Sequence, residues 1–236
     1  MKKTIYMLGC LSIVLLPNIA CSNLDSNEST PAQVETASLL QPGSGNVSTG
    51  KFTVDPALIT KAGSIMRDEI KNNAQLAARL RKPPIVNGQA QYVDQAILDH
   101  LISITNLSQY SSQITVDMVN RMIAESVEME KVGYESYIKN TKYISTNMKD
   151  YFNRLAYDDV TAADFQTEAN FINLSDNEQS VLYNMDSLVT YSNTSKLIGG
   201  GFGMLFGAGI GGMIFGPAGF IVGAVIGFAF GSLIDK

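Results

Sequence analysis

The chain has 236 residues, a formal charge of −5, one histidine, two cysteines and no tryptophan. That length accommodates one ordinary domain with attachments. The negative balance excludes the global basic field that holds nucleic acid, and a lone histidine excludes a histidine-based metal cluster.

Lys2 and Lys3 form a short positive region ahead of an uncharged apolar run over residues 4–16, and Pro17-Asn18-Ile19-Ala20 leads to Cys21. The run is too short to span a bilayer and has the layout of a secretory signal peptide. Residues 1–20 are read as that signal. Cys10 would leave with it, so the mature chain would keep one cysteine and form no internal disulfide. Residues 22–50 are rich in Ser, Thr, Asn, Gly and Pro. They offer little apolar surface to offset the entropy of ordering, so residues 21–50 are expected to be a flexible tether.

From Asp55 the pattern turns helical. Asp55-Pro56 is an N-cap followed by proline at the first helical position. Leu58, Ala62, Ile65, Ile70, Leu76 and Leu80 then recur on one side until Lys82-Pro83-Pro84 ends the helix. Ile85-Val86-Asn87-Gly88 reads as a turn. A second helix is expected over about residues 93–105, and Thr115 caps a long third pattern that Gly133 is placed to break. Ser175-Asp176-Asn177-Glu178 is a capping box that opens a further helix. No stretch alternates with period two for long enough to argue a strand. Residues 51–195 are therefore expected to be an all-α domain, a bundle or elongated helical hairpin. Charge is uneven along it. Residues 51–82 carry seven Lys/Arg and three Asp/Glu, whereas residues 158–186 carry seven acids and no base. The two regions either attract one another or are separate solvated faces.

Catalytic chemistry finds no foothold. No nucleophile has a base within a recognisable pattern, and no GxxxxGK[ST] phosphate loop occurs. Asp68-Glu69 and Asp158-Asp159 are adjacent pairs, which do not face one another on a helix. An enzyme is not expected, nor any metal or other cofactor.

The carboxyl-terminal segment is distinctive. Residues 197–234 contain no Asp, Glu, Lys or Arg. As one helix they would extend about 57 Å, nearly twice the hydrocarbon core of a bilayer. Gly216-Pro217 divides them and is the expected hinge. Gly199, Gly203, Gly207 and Gly211 step by four before it, and Gly219, Gly223, Gly227 and Gly231 step by four after it. Each glycine in a helix interior costs roughly 1 kcal/mol relative to alanine. Spacing by four lines them up on one face, where two backbones can approach closely, either between the two halves or between copies. The other faces carry Phe202, Phe206, Ile210, Phe220, Val225 and Phe228, side chains suited to acyl chains. Residues 196–236 are therefore expected to form a glycine-zipper hairpin that meets membrane lipid, entering or oligomerising in a membrane, with self-association through the zipper; a water-soluble helix buried within the domain is the alternative.

Ala20-Cys21 resembles the lipobox of bacterial lipoproteins, in which the peptide is cut before the cysteine and its thiol carries a diacylglycerol. The resemblance implies lipidation at Cys21 and an exported, membrane-anchored location in a bacterial envelope, at the outer membrane or cell surface. Ordinary cleavage after Ala20 is the alternative. The glycine segment resembles the zippers of envelope glycine-zipper lipoproteins, whose members are structural. Leu197-Ile198-Gly199-Gly200 before Gly201 also resembles the junction at which double-glycine bacteriocins are released. Two functions follow as expectations. One is a membrane-active, bacteriocin-like protein whose helical domain shields the hairpin until a target membrane is met, with the basic and acidic regions as candidate halves of the shield. The other is a structural lipoprotein or scaffold with a passive membrane hairpin.

Overall fold

A computed structural model describes residues 51–158, 160–191 and 200–234, with the backbone alone described for Gly200 and residues 232–234. The fold is all-α: three-quarters of the described residues are helical, and strand is limited to one two-residue pair among them. The helices are α1 (Pro56–Asn72), α2 (Ala74–Arg81), α3 (Gln95–Ile104), α4 (Val116–Val132), α5 (Tyr134–Asn140), α6 (Thr146–Tyr157), α7 (Ala169–Ile172), α8 (Asp176–Tyr191) and α9 (Gly200–Ile234). Strands β1 (Ile85–Val86) and β2 (Gln89–Ala90) pair antiparallel between α2 and α3.

Short polar side chains set most of the boundaries. Asp55 accepts the Ala57 N–H at 2.9 Å ahead of Pro56, which starts α1. The single helix expected through residue 81 is broken at Asn73. Its backbone N–H donates to the Glu69 carbonyl at 2.8 Å while its side chain accepts the Leu76 N–H at 3.0 Å. One residue thus ends α1 and caps α2. Asp94, Thr115 and Ser145 cap α3, α4 and α6 in the same way. Gly133 takes φ 86°, a left-handed value, and divides α4 from α5. The Ser175–Glu178 capping box forms in both directions, with Ser175 N–H donating to Glu178 at 2.9 Å and Glu178 N–H donating to Ser175 Oγ at 3.3 Å.

The described residues belong to one compact unit, and α9 lies at its centre. α1, α4 and α8 pack along it, with α6 touching it more briefly. The hairpin's apolar faces, suited to acyl chains by composition, are covered here by the helical domain. Met204, Leu205, Phe206, Ile210, Phe220, Ile221, Val225 and Ile226 have the composition of a lipid-facing surface, yet none is more than 1 % exposed. The amphipathic stripes of α1, α4 and α8 cover them, because an apolar surface is removed from water equally well by protein as by lipid.

Candidate functional site

α9 is two helices joined at Gly216, which takes φ 66° and ψ −150°, outside the helical region. A residue with a Cβ rarely adopts that conformation, and Pro217 starts the next turn of helix without needing an N–H partner. The chain reverses here, so the expected hinge residues occupy the turn. The arms before and after it run antiparallel, and their lengths of about 24 Å and 27 Å follow from the helical rise. Each is near the roughly 30 Å thickness of a hydrocarbon core.

The glycines meet across the arms in a fixed ladder. Gly203 faces Gly227, Gly207 faces Gly223, and Gly211 faces Gly219. A Cβ built on any of these six would collide with the carbonyl oxygen of its opposite number. On Gly207 it would also stand 2.9 Å from the Gly223 carbonyl carbon and 3.4 Å from the Gly227 Cα. Gly231 joins the seam beside Gly203, its Cα 3.3 Å from a Cβ placed there. Backbone therefore packs on backbone, at a distance that lets dispersion and Cα–H···O contacts replace side-chain packing. The zipper closes within one chain, and association of copies through the same glycines would need the arms to part. Gly199 and Cys21 lie outside the described residues, as do the signal and tether assigned to residues 1–50.

Three further glycines matter that the four-residue step does not reveal. Gly209 and Gly212 point out of the seam, Gly209 against Phe152 and Met185 of the surrounding helices and Gly212 against Val181 and Phe220. On α1, a Cβ at Gly63 would stand 3.0 Å from the Cβ of Phe228. Close approach thus extends from the hairpin to the helices around it. The sequence signal for these three is weak: an isolated glycine inside an amphipathic helix, and two glycines off the four-residue repeat.

Around the hairpin the contacts are mostly apolar and aromatic. Phe206 packs against Tyr134 at 5.0 Å and Phe152 at 5.1 Å, and Phe220 meets the edge of Phe52 at 5.8 Å. Arg67 lies over the Phe228 ring at 5.7 Å, leaving its charge at the surface. A polar contact comes from Asn177, whose side-chain amide reaches the Gly212 carbonyl at 3.5 Å, the outer limit of a hydrogen bond.

The surrounding helices are locked to one another by stronger polar links. Asn184, 3 % exposed, accepts the Val54 N–H at 2.9 Å and donates to the Phe52 carbonyl at 2.8 Å and the Ser180 carbonyl at 2.8 Å. Asn120 does the same for Val93, at 2.9 Å in both directions. Arg154 makes a two-pronged pair with Glu168 at 2.8 and 2.9 Å, which holds that carboxyl below its ordinary range with help from Tyr151. Glu125 receives the hydroxyls of Tyr137 and Tyr143. Burial, then Glu125 itself, drives the Tyr137 hydroxyl far above its usual pKa. Asp186 on α8 is pushed up by burial although it accepts the Ala162 N–H.

The basic and acidic regions both adjoin the hairpin, through α1 and α8, yet no ion pair joins them among the described residues. They are linked by the packing of α1 on α8 and by the neutral Asn184 amide. His100 lies 3.0 Å from Glu69, and no group of three or more potential metal ligands occurs among the described residues. A comparison with known protein families, curated proteins and solved structures finds no match to this chain.

Proposed function

We propose that this is an exported, lipid-anchored envelope protein that carries a membrane-inserting hairpin inside a helical sheath. The observation that carries the proposal is the mismatch between two sets of contacts. The hairpin is sealed to itself by a backbone seam, and along its two helices, though not at their ends, backbone groups pair within the chain, as a bilayer requires. Its contacts with the sheath are chiefly apolar. Each fully buried Phe, Leu or Ile gains roughly 1.5–3 kcal/mol from leaving water, and a hydrocarbon core supplies the same gain. Exchange of sheath for lipid therefore costs the hairpin little. The sheath helices, whose apolar stripes would then be bare, would lie along the membrane surface.

The second reading is a structural lipoprotein, favoured by the hairpin's burial: a segment already covered by its own chain needs no membrane to leave water. A lock separates the two. In a full chain carrying Cys10→Ser and Cys21→Ser, Gly63→Cys with Phe228→Cys places two thiols close to disulfide range, after a shift of about 0.5 Å toward the usual Cβ separation. Dye leakage from protein-free vesicles should be absent when the bond is oxidised and return on reduction. Leakage indifferent to reductant would refute the sheath as a gate, and no leakage from the unlocked parent chain would favour the structural reading.

A further inference from the structure

One apolar feature of the surface is used neither by the core nor by the sheath. Ile85 is 67 % exposed and Val86 45 % exposed, both on the short pair β1–β2. Asn87 and Gly88, with φ 52° and 79°, form the tight two-residue turn that suits such a hairpin. A pair this short is marginal alone, and polar residues at β1 would serve solubility better than isoleucine and valine. The stem leading into it is Arg81-Lys82-Pro83-Pro84. Arg81 and Lys82 are exposed and join no ion pair among the described residues, unlike nearby Arg79, which is held by Asp94 at 2.7 Å. Two prolines stiffen the approach. On the far side, Gln89 and Ala90 line an open groove together with Phe215, the residue just before the Gly216 turn.

We infer that residues 81–86 form a docking spike for an anionic lipid surface. Ile85 and Val86 enter the boundary between headgroups and acyl chains, and Arg81 and Lys82 meet the lipid phosphates. An apolar tip beside unpaired cations is the composition that interfacial membrane contact selects. A protein strand fits less well, because a two-residue edge offers too few backbone groups for strand addition. The spike adjoins the hairpin's turn, so the bilayer met by one is presented to the other. Its purpose rests on the membrane-inserting reading above, but its binding can be measured separately.

The test places an environment-sensitive fluorophore at Val86→Cys in the full chain with Cys10→Ser and Cys21→Ser. It is then mixed with vesicles with and without phosphatidylglycerol. The expected result is a blue shift on anionic vesicles, with quenching by lipid-borne quenchers. Each cation at a charged surface contributes about fivefold to partitioning, so Arg81→Gln with Lys82→Gln should weaken binding about 25-fold. A probe that stays in water on both vesicle types, or a chain that binds both equally, would overturn the proposal and leave the face to a protein strand. A buried probe without leakage from the unlocked chain would keep the spike and sink the insertion reading. Leakage with the probe in water would do the reverse.

Discussion

Replacing Gly207 by alanine adds one methyl group at the middle of the seam. In a solvent-exposed helix the change would stabilise by roughly 1 kcal/mol, since alanine favours helix over glycine by that amount. Here the new Cβ would overlap the Gly223 carbonyl oxygen and press on its carbon at 2.9 Å. Both obstacles are backbone, so no rotamer can relieve them, and the arms must separate by about 1 Å to restore ordinary contact. Overpacking of this kind costs typically 1–3 kcal/mol, and a rigid obstacle puts it at or beyond the top of that range. The net expectation is a loss of about 2 kcal/mol, which lowers the melting temperature of a chain this size by about 4–8 °C. Urea unfolding of the full chain measures it directly. Gly212→Ala is the internal comparison: its Cβ would meet Val181 Cγ2 at 2.8 Å and Phe220 at 3.1 Å, side-chain atoms that can shift. It should cost less than Gly207→Ala. Adding Gly223→Ala to Gly207→Ala should cost less than the sum of the two, because the first substitution has already parted the arms. A Gly207→Ala chain as stable as the parent, or more so, would refute the backbone seam.

Two further outcomes follow from the polar links. Asn184→Ala strips partners from the Val54 N–H and the Phe52 carbonyl, and unsatisfied groups of this kind cost about 1–3 kcal/mol each, so thermal unfolding should move down by several degrees; an unchanged midpoint would show that water takes over both groups. Acid should weaken the sheath: Glu168 (held by Arg154), Glu69 (by Asn73, then His100) and Asp94 (by the Ile97 N–H, then Arg79) have lowered folded pKa values. Their stabilisation is present above the ordinary carboxylate range and is lost as pH falls through the folded values. Asp186 has the opposite sign, its folded pKa being raised, so its charge opposes folding above that value and Asp186→Asn should stabilise the chain at neutral pH but not in acid. Unfolding midpoints followed from neutral pH to below about pH 4, the ordinary carboxylate range, would check both signs; a stability flat across that range would contradict the assignment.

Much of the fold is legible in the sequence because its boundaries are local. Asp55-Pro56, Thr115, Gly133 and the Ser175 capping box act within one turn of chain, and each does in the structure what its neighbours in sequence imply. Asn73 is hidden because the apolar stripe continues across it; only its simultaneous use as an end and a cap breaks the helix. The glycine ladder is legible as a repeat, and Gly216-Pro217 as the place where it folds. Which residues cover the hairpin is not. Hydrophobicity measures departure from water and is silent about the destination, so Phe206 and Phe220 read alike for a lipid tail and for Tyr134 or Phe52. The opposed charges at residues 51–82 and 158–186 leave two readings open, and no ion pair joins them among the described residues. Surface charges are cheap to leave solvated, whereas a buried backbone N–H is not, so the polar link between those regions goes to Asn184.

Asn184 has a consequence for topology. It sits near the end of the chain that surrounds the hairpin, and its partners sit near that chain's beginning, 130 residues earlier. The wrapping is therefore a belt whose two ends are pinned by the Asn184 amide as well as by the packing of α1 on α8. A belt of that design is released at its buckle: the stretch before α1 can leave α8 while every helix keeps its own hydrogen bonds. Release would bare the side of Phe220 that Phe52 covers, while α1 and α8 stay packed on the hairpin.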